Sequence, residues 1–385
     1  MHRMKTGQPA RSTRGFTLVE LMVALALGLV LSLAISSVYL FSKSAFTRQD
    51  QLASLQQSVR TAFEYLDFDA RMAGHLGCYT GNSGGAPSTA LSATVIDTNY
   101  AVGIEGYEYN TASNAYTLGS NSPTNTSTAG NWKTNPGTGS VSPIPVTTID
   151  TDGLTPGSDV LVIRTTVGRP LRLTSDVAAA AATLPIEVVA GGKCSDGTTD
   201  MVSGFCAGGH GLIASCTNAR TFKLTTAGST GTLTVNGGTG PVAFAAATAE
   251  VFPMQTVVYY LKKSANATTI SLWRRVFNGD PAAGQTPQEL IEGVESMQLR
   301  YGLDSTMPDP DGTIDSYVTA DGVTDWGRVV SVRMSLLLHA PDAAAADVAV
   351  PASGIVNDVT ITYPTSGSKY DRRVFTTTIA IRNRI

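Results

Sequence analysis

Apolar and polar positions divide the chain sharply. Residues 16–41 read FTLVELMVALALGLVLSLAISSVYLF, an apolar run with one charge, Glu20, and no proline. At about 1.5 Å per helical residue, it covers the ~30 Å hydrocarbon thickness of a bilayer with length to spare. Beyond it the apolar positions thin to a stripe: Leu52, Leu55, Val59, Ala62, Phe63 and Leu66. That spacing is one face of a helix, with Arg48, Asp50, Gln56, Gln57, Arg60 and Glu64 on the other. No proline intervenes, and Gly74 and Gly77 are suitable stops. The pattern predicts one helix of roughly 60 residues, ~90 Å long.

After the helix the pattern changes. Residues 78–157 are rich in Gly, Ser, Thr and Asn and predict loops and short strands without a compact core. Residues 158–385 carry β-branched runs bounded by Gly, Pro and Ser: 159–165, 184–190, 211–215, 221–225, 233–235, 256–262, 269–277, 329–339 and 373–382. Residues 288–302 follow a proline and read as a short helix or turn passing into a strand. The fold class is α+β, a long N-terminal helix packed on a C-terminal antiparallel sheet domain.

Composition narrows the function. Of 385 residues, 42% are hydrophobic and only 15% charged, with a net charge of −3. The charged share is far below the usual ~25%, which argues against a disordered polyelectrolyte and a basic nucleic-acid binder. One long apolar run excludes a polytopic transporter.

The residues before that run are polar and basic, with Arg3, Lys5, Arg11 and Arg14. The run is about twice the length of a secretory h-region and has no small-x-small cleavage site at its end. The basic residues hold the N-terminus in the cytoplasm, so the remainder lies in the periplasm or outside the cell. Glu20 then needs explaining, because a carboxylate in a membrane helix costs roughly 2.5–3.5 kcal/mol on insertion scales. It either stays wet near the headgroups or finds a cationic partner.

Arg14-Gly15-Phe16-Thr17-Leu18-Val19-Glu20-Leu21 resembles the prepilin-peptidase motif of type IV pilins and type II secretion pseudopilins. The resemblance implies cleavage by prepilin peptidase after Gly15 and N-methylation of Phe16. It also implies that Glu20 pairs with the new Phe16 amine of a neighbouring subunit. The leader would be residues 1–15, the membrane and filament-core helix 16–41, its amphipathic continuation 42–77, a Gly/Ser/Thr-rich region 78–157 and the globular pilin domain 158–385. Cleavage leaves 23 basic residues against 30 acidic ones, which excludes DNA capture by bulk charge.

Arg71-Met72-Ala73-Gly74-His75-Leu76-Gly77-Cys78, the stretch 158–164, the stretch 290–295, and Asp325-Trp326 before 329–333 resemble PilW-type minor pilins in their order. The resemblance implies a subunit of a priming complex at a type IV pilus tip. Its partners would be other minor pilins, the major pilin and a tip adhesin, and its chemistry association rather than catalysis. It would reside in the inner membrane and then at the pilus tip. A J-type pseudopilin of type II secretion is the nearest alternative. Tyr107, Tyr109, Tyr116 and Trp132 motivate a third, a tethered adhesin.

Cys78, Cys194, Cys206 and Cys216 are an even set in an oxidising compartment, and favour two disulfides. Of three connectivities, Cys194–Cys206 as a local loop with Cys78–Cys216 as a helix-to-sheet clamp is preferred, and the others stay open. Candidate chemistry is sparse. Gly81-Asn82-Ser83-Gly84-Gly85 fits a nucleophile-elbow spacing but lacks the flanking strand and helix. His2, His75, His210 and His339 form no metal-spaced pair, and His75 suits a helix-dipole contact. No cofactor is required. Asp309, Asp311 and Asp315 around Gly312 offer a partial calcium loop whose first and last ligand positions are missing. The alternative is an acidic hairpin turn.

Overall fold

The computed structural model describes residues 15–79, 87–91, 96–109, 115–118, 126–128, 131–135, 142–194, 200–228, 231–266, 269–279, 286–308, 311–343, 351–364 and 370–382. The leader before Gly15, the 81–85 glycine-serine motif and Asp309 lie outside them. The chain comprises two compact units, residues 1–53 and 54–385.

Helix α1 is a single 54-residue element, Leu18–Arg71, about 80 Å long by its rise per residue. Neither Gly28 nor Ser36-Ser37 unwinds it. Ser32 and Ser37 instead return their hydroxyls to the carbonyls of Gly28 and Ala34 within the helix. In the first unit its apolar side chains, from Phe16 to Phe46, stand exposed. In the second unit the stripe turns inward: Leu55, Val59, Ala62, Leu66 and Ala70 are buried, while Arg60, Glu64 and Asp67 face out.

The body is built from ten principal strands: β1 (Ile104–Tyr109), β2 (Val160–Thr166), β3 (His210–Ala214), β4 (Ala219–Gly228), β5 (Glu250–Lys263), β6 (Ile270–Phe277), β7 (Gln288–Glu292), β8 (Val294–Leu303), β9 (Val329–Ala343) and β10 (Tyr370–Ala380). Strand β5 is the spine of a large, mainly antiparallel sheet. Its first residues pair with β3 and its later ones with β2 on one side and β6 on the other. β1 extends that sheet beyond β2, β4 beyond β3, and β7 beyond β6. A second antiparallel sheet runs Ser316–Val318, β8, β9, β10. The chain crosses between sheets at Gly293, whose φ of +86° is open to glycine at little cost.

The helix stripe packs on Leu161 and Ile163 of β2, Val257, Tyr259 and Leu261 of β5, Leu272 of β6 and Met297 and Leu299 of β8, in one core spanning both sheets. Directional contacts lock this packing. Asp69 on α1 accepts the Tyr259 hydroxyl at 2.5 Å and Arg274 Nε at 3.0 Å. Behind the helix, Gly74 N donates to Arg164 O at 2.9 Å, and a Cβ on Gly103 would lie 2.5 Å from Gly74 Cα. The Arg164 side chain is buried, paired with Glu105 at 2.6 Å and donating to the carbonyls of Ile96 and Val102.

Two expectations are corrected. Residues 288–292 form the edge strand β7 and not a helix, because Leu272 and its neighbours on β6 supply ladder partners. The region 78–157 is not coreless: Ile96, Tyr107, Trp132, Ile144, Val146, Ile149 and Leu154 form a core with Val160, Val162, Val258 and Trp273. Trp132 is fully buried, its Nε1 donating to Ser158 O at 2.7 Å.

Candidate assembly site at the N-terminal helix

The helix start is defined by a reciprocal pair. Thr17 precedes the first helical residue, Leu18. Its hydroxyl accepts from Glu20 N at 3.2 Å, while Glu20 Oε2 accepts from Thr17 N and Thr17 Oγ1, each at 3.1 Å. This is a capping box, T-x-x-E, which satisfies amide donors that the first turn leaves unpaired. Glu20 therefore has a partner within its own chain. Both contacts use Oε2, so among the described residues Oε1 is left to accept from elsewhere. The carboxylate also sits at the positive end of the helix dipole. Gly15 and Phe16 stand directly before this cap, and Phe16 is 87% exposed.

Thr17 is a residue that the sequence reading passed over, although the T-x-x-E spacing is a local signal for it. The asset of the site is its contrast. Around one acid lie Leu18, Val19, Leu21, Met22, Val23 and Leu25, all exposed. The helix is long and apolar enough to cross a membrane. Apolar area of this extent gains roughly 25 cal/mol per Å² when it leaves water, so a membrane or a bundle of like helices is its stable surrounding.

The remaining sequence candidates fall apart into structural roles. Cys78 is bonded to Cys216, closing a separation of 138 residues, and Cys194 to Cys206. The first bridge ties the chain just past the helix to the loop between β3 and β4. The calcium reading is not supported by the two described acids. Asp311 Oδ1 accepts Thr313 N at 2.8 Å and its hydroxyl at 2.6 Å, and Asp315 Oδ2 accepts Ser305 N and Oγ. Each spends one oxygen on hydrogen bonds within residues 304–315. Among the described residues no three His, Cys, Asp or Glu side chains group to hold a metal ion.

The histidines are likewise separate. His75 Nδ1 contacts Thr166 Oγ1 at 2.7 Å instead of a helix carbonyl, and burial lowers its pKa. His210 Nδ1 meets Tyr100 OH at 3.1 Å, and burial pushes its pKa down to about 4. His339 Nδ1 lies 2.7 Å from Ala340 O. Of the aromatics proposed to face a ligand, Tyr107 and Trp132 are buried, and Tyr109 packs edge-on against Tyr116 and Trp132. They serve the body's core.

Comparison with known proteins divides along the same line. Residues 10–36 match the family model for the prokaryotic N-terminal methylation motif, which brackets Gly15, Phe16 and Glu20. Residues 258–383, from the middle of β5 to beyond β10, match the model for the type IV pilus-assembly protein W. No curated protein matches the chain.

Proposed function

We propose, for this PilW-like type IV pilus minor pilin, a role in priming filament assembly through its N-terminal helix. Prepilin peptidase removes residues 1–15 and methylates the Phe16 amine. The helix holds the protein in the inner membrane with its body in the periplasm until it is extracted into a tip complex. There it packs beside the helices of other minor pilins, the major pilin and a tip adhesin. The body is a pilin-type head enlarged by the sheet around β3 and β4.

The observation that carries this reading is the acid on the exposed apolar helix. Glu20 Oε2 is held by Thr17 and its Oε1 is open. A neighbour's terminal ammonium at Oε1 would neutralise the carboxylate and be neutralised by it. At ~4 Å and an effective dielectric of about 20 that attraction is roughly 4 kcal/mol, enough to offset the ~2.5–3.5 kcal/mol cost of placing the acid in hydrocarbon. Only one axial offset between helices brings the two charges together, so the pair sets register as well as affinity.

The test is Glu20→Ala in cells. The variant should accumulate in the membrane with its body folded, and surface pili should fall sharply. Undiminished piliation would refute the mechanism. Mass spectrometry of the mature chain should show an N-terminal methylated phenylalanine.

A further inference from the structure

A half-open cleft of about 580 Å³ lies in the second unit, between the α1 residues 54–61 and the β7–β8 crossover. Its floor is apolar, formed by Leu55, Leu290 and Ile291, and its rim is polar. The rim has a definite polarity of hydrogen bonding. His339 Nδ1 lies 2.7 Å from Ala340 O, and a carbonyl only accepts, so Nδ1 is the donor, and in that tautomer Nε2 is an acceptor. Gly293 keeps that ring edge uncovered: a Cβ there would sit 3.6 Å from Nε2. Glu292 is exposed on the same rim. Its Oε1 accepts the Thr269 hydroxyl at 2.6 Å, and it has no ion-pair partner among the described residues. Neither Lys nor Arg lines the cleft.

We propose that this cleft takes the side chain of a lysine or arginine from another pilus subunit. An aliphatic stem fits the apolar floor, as long cationic side chains cover apolar surface while holding their charge at an acceptor. The charged head meets the Glu292 carboxylate and His339 Nε2, with the hydroxyls of Ser58 and Thr61 beside them. Charge selects the occupant: a carboxylate or phosphate would face an unpaired acid and a lone pair. The wall of the cleft is the continuation of the helix to which assembly has been assigned, so the choice of a pilus subunit rests on that reading.

Two measurements test the two halves separately. In the first, the full chain in detergent micelles carries ¹³C-labelled histidine, and n-butylammonium chloride is titrated in with n-butanol as the neutral control. The His339 signal, identified by its loss in His339→Gln, should shift saturably with the ammonium and not with the alcohol. Glu292→Gln should weaken that binding about tenfold or more, as for the loss of one charge-assisted hydrogen bond. A non-saturable response, or one unchanged by Glu292→Gln, overturns the cation site whatever becomes of the Glu20 mechanism. In the second, Glu292→Lys, which fills the cleft with its own cation, should keep the wild-type unfolding midpoint and lower surface piliation. Normal piliation with an intact ammonium response in the parent chain overturns the assignment to a pilus subunit.

Discussion

A buried carboxylate clamps α1 to the sheet beside the apolar stripe, and its removal gives a quantitative test. Asp69 is buried at 3% exposure, and its Oδ2 receives both the Tyr259 hydroxyl and Arg274 Nε. Asp69→Ala strips the counter-charge from Arg274, whose side chain is 18% exposed, and one acceptor from the buried Tyr259 hydroxyl. Breaking a buried ion pair by deleting one partner costs about 3–5 kcal/mol. Two features place this case at the low end. Arg274 retains some access to water, and Tyr259 OH keeps a second acceptor in Tyr65 O at 3.2 Å. The expected loss is about 3 kcal/mol. Asp69→Asn, which retains an oxygen but no charge, should lose about 1–1.5 kcal/mol. Urea unfolding of the full chain in detergent, followed by tryptophan fluorescence, reports the body directly, because all three tryptophans (Trp132, Trp273 and Trp326) are buried there. The double variant Asp69→Ala with Arg274→Met should cost well under the sum of the singles, since it removes both charges together. A loss below ~0.5 kcal/mol for Asp69→Ala, or additive singles, would show that the clamp does not hold the helix.

Three further outcomes are expected. Removing Cys78–Cys216 by paired serines should destabilise by about 5 kcal/mol in the chain-entropy model, against about 3 kcal/mol for Cys194–Cys206, because the closed loop is far longer; thermal unfolding of both variants ranks them. Gly103→Ala should cost about 1–3 kcal/mol by the same scan, since its methyl meets Gly74 backbone and has no side chain to displace. Glu108 has one buried oxygen without a hydrogen-bond partner among the described residues and Arg300 at 3.5 Å, and burial and nearby Asp159 push its pKa up to about 9. A carboxyl with a raised folded-state pKa gives stability that is complete below its unfolded value and is lost as pH rises through the folded one. The body should therefore weaken from about pH 4.5, where the unfolded carboxyl ionises, to about pH 9, and Glu108→Gln should flatten that decline; an unchanged slope would exclude the residue as its source.

Legibility followed sequence distance. The helix was readable because its determinants are local: an uninterrupted apolar run, then a stripe at helical spacing ending in glycines. The long β-branched strands β2, β5, β6 and β9 were readable for the same reason. Residues 288–292 misled because Gln288-Glu289 after a proline resembles a helix N-terminus, while the partner that makes them a strand, Leu272 on β6, is supplied by another part of the chain. The short strand Ala115–Thr117 has still less local signal. It pairs in parallel with Val359–Thr362, more than 200 residues away. In the candidate assembly site the Gly15-Phe16 junction and Glu20 were legible as part of the N-terminal methylation motif. The Thr17 cap is equally local, carried by the T-x-x-E spacing. The Asp69, Tyr259 and Arg274 clamp is assembled by tertiary packing alone.

The bond between Cys78 and Cys216 has a mechanical consequence. Tension applied along α1 is borne first by the stripe buried from Leu55 onward, and at Cys78 it is shared covalently with the loop joining β3 to β4. Peeling the helix off the sheet would not by itself let the chain after it pay out, since the covalent crosslink shortens the extensible path by the 138-residue separation it spans. A force extracting such a subunit would have to work against the hydrogen-bonded ladders of the sheet, and the tether would hold until the disulfide was reduced.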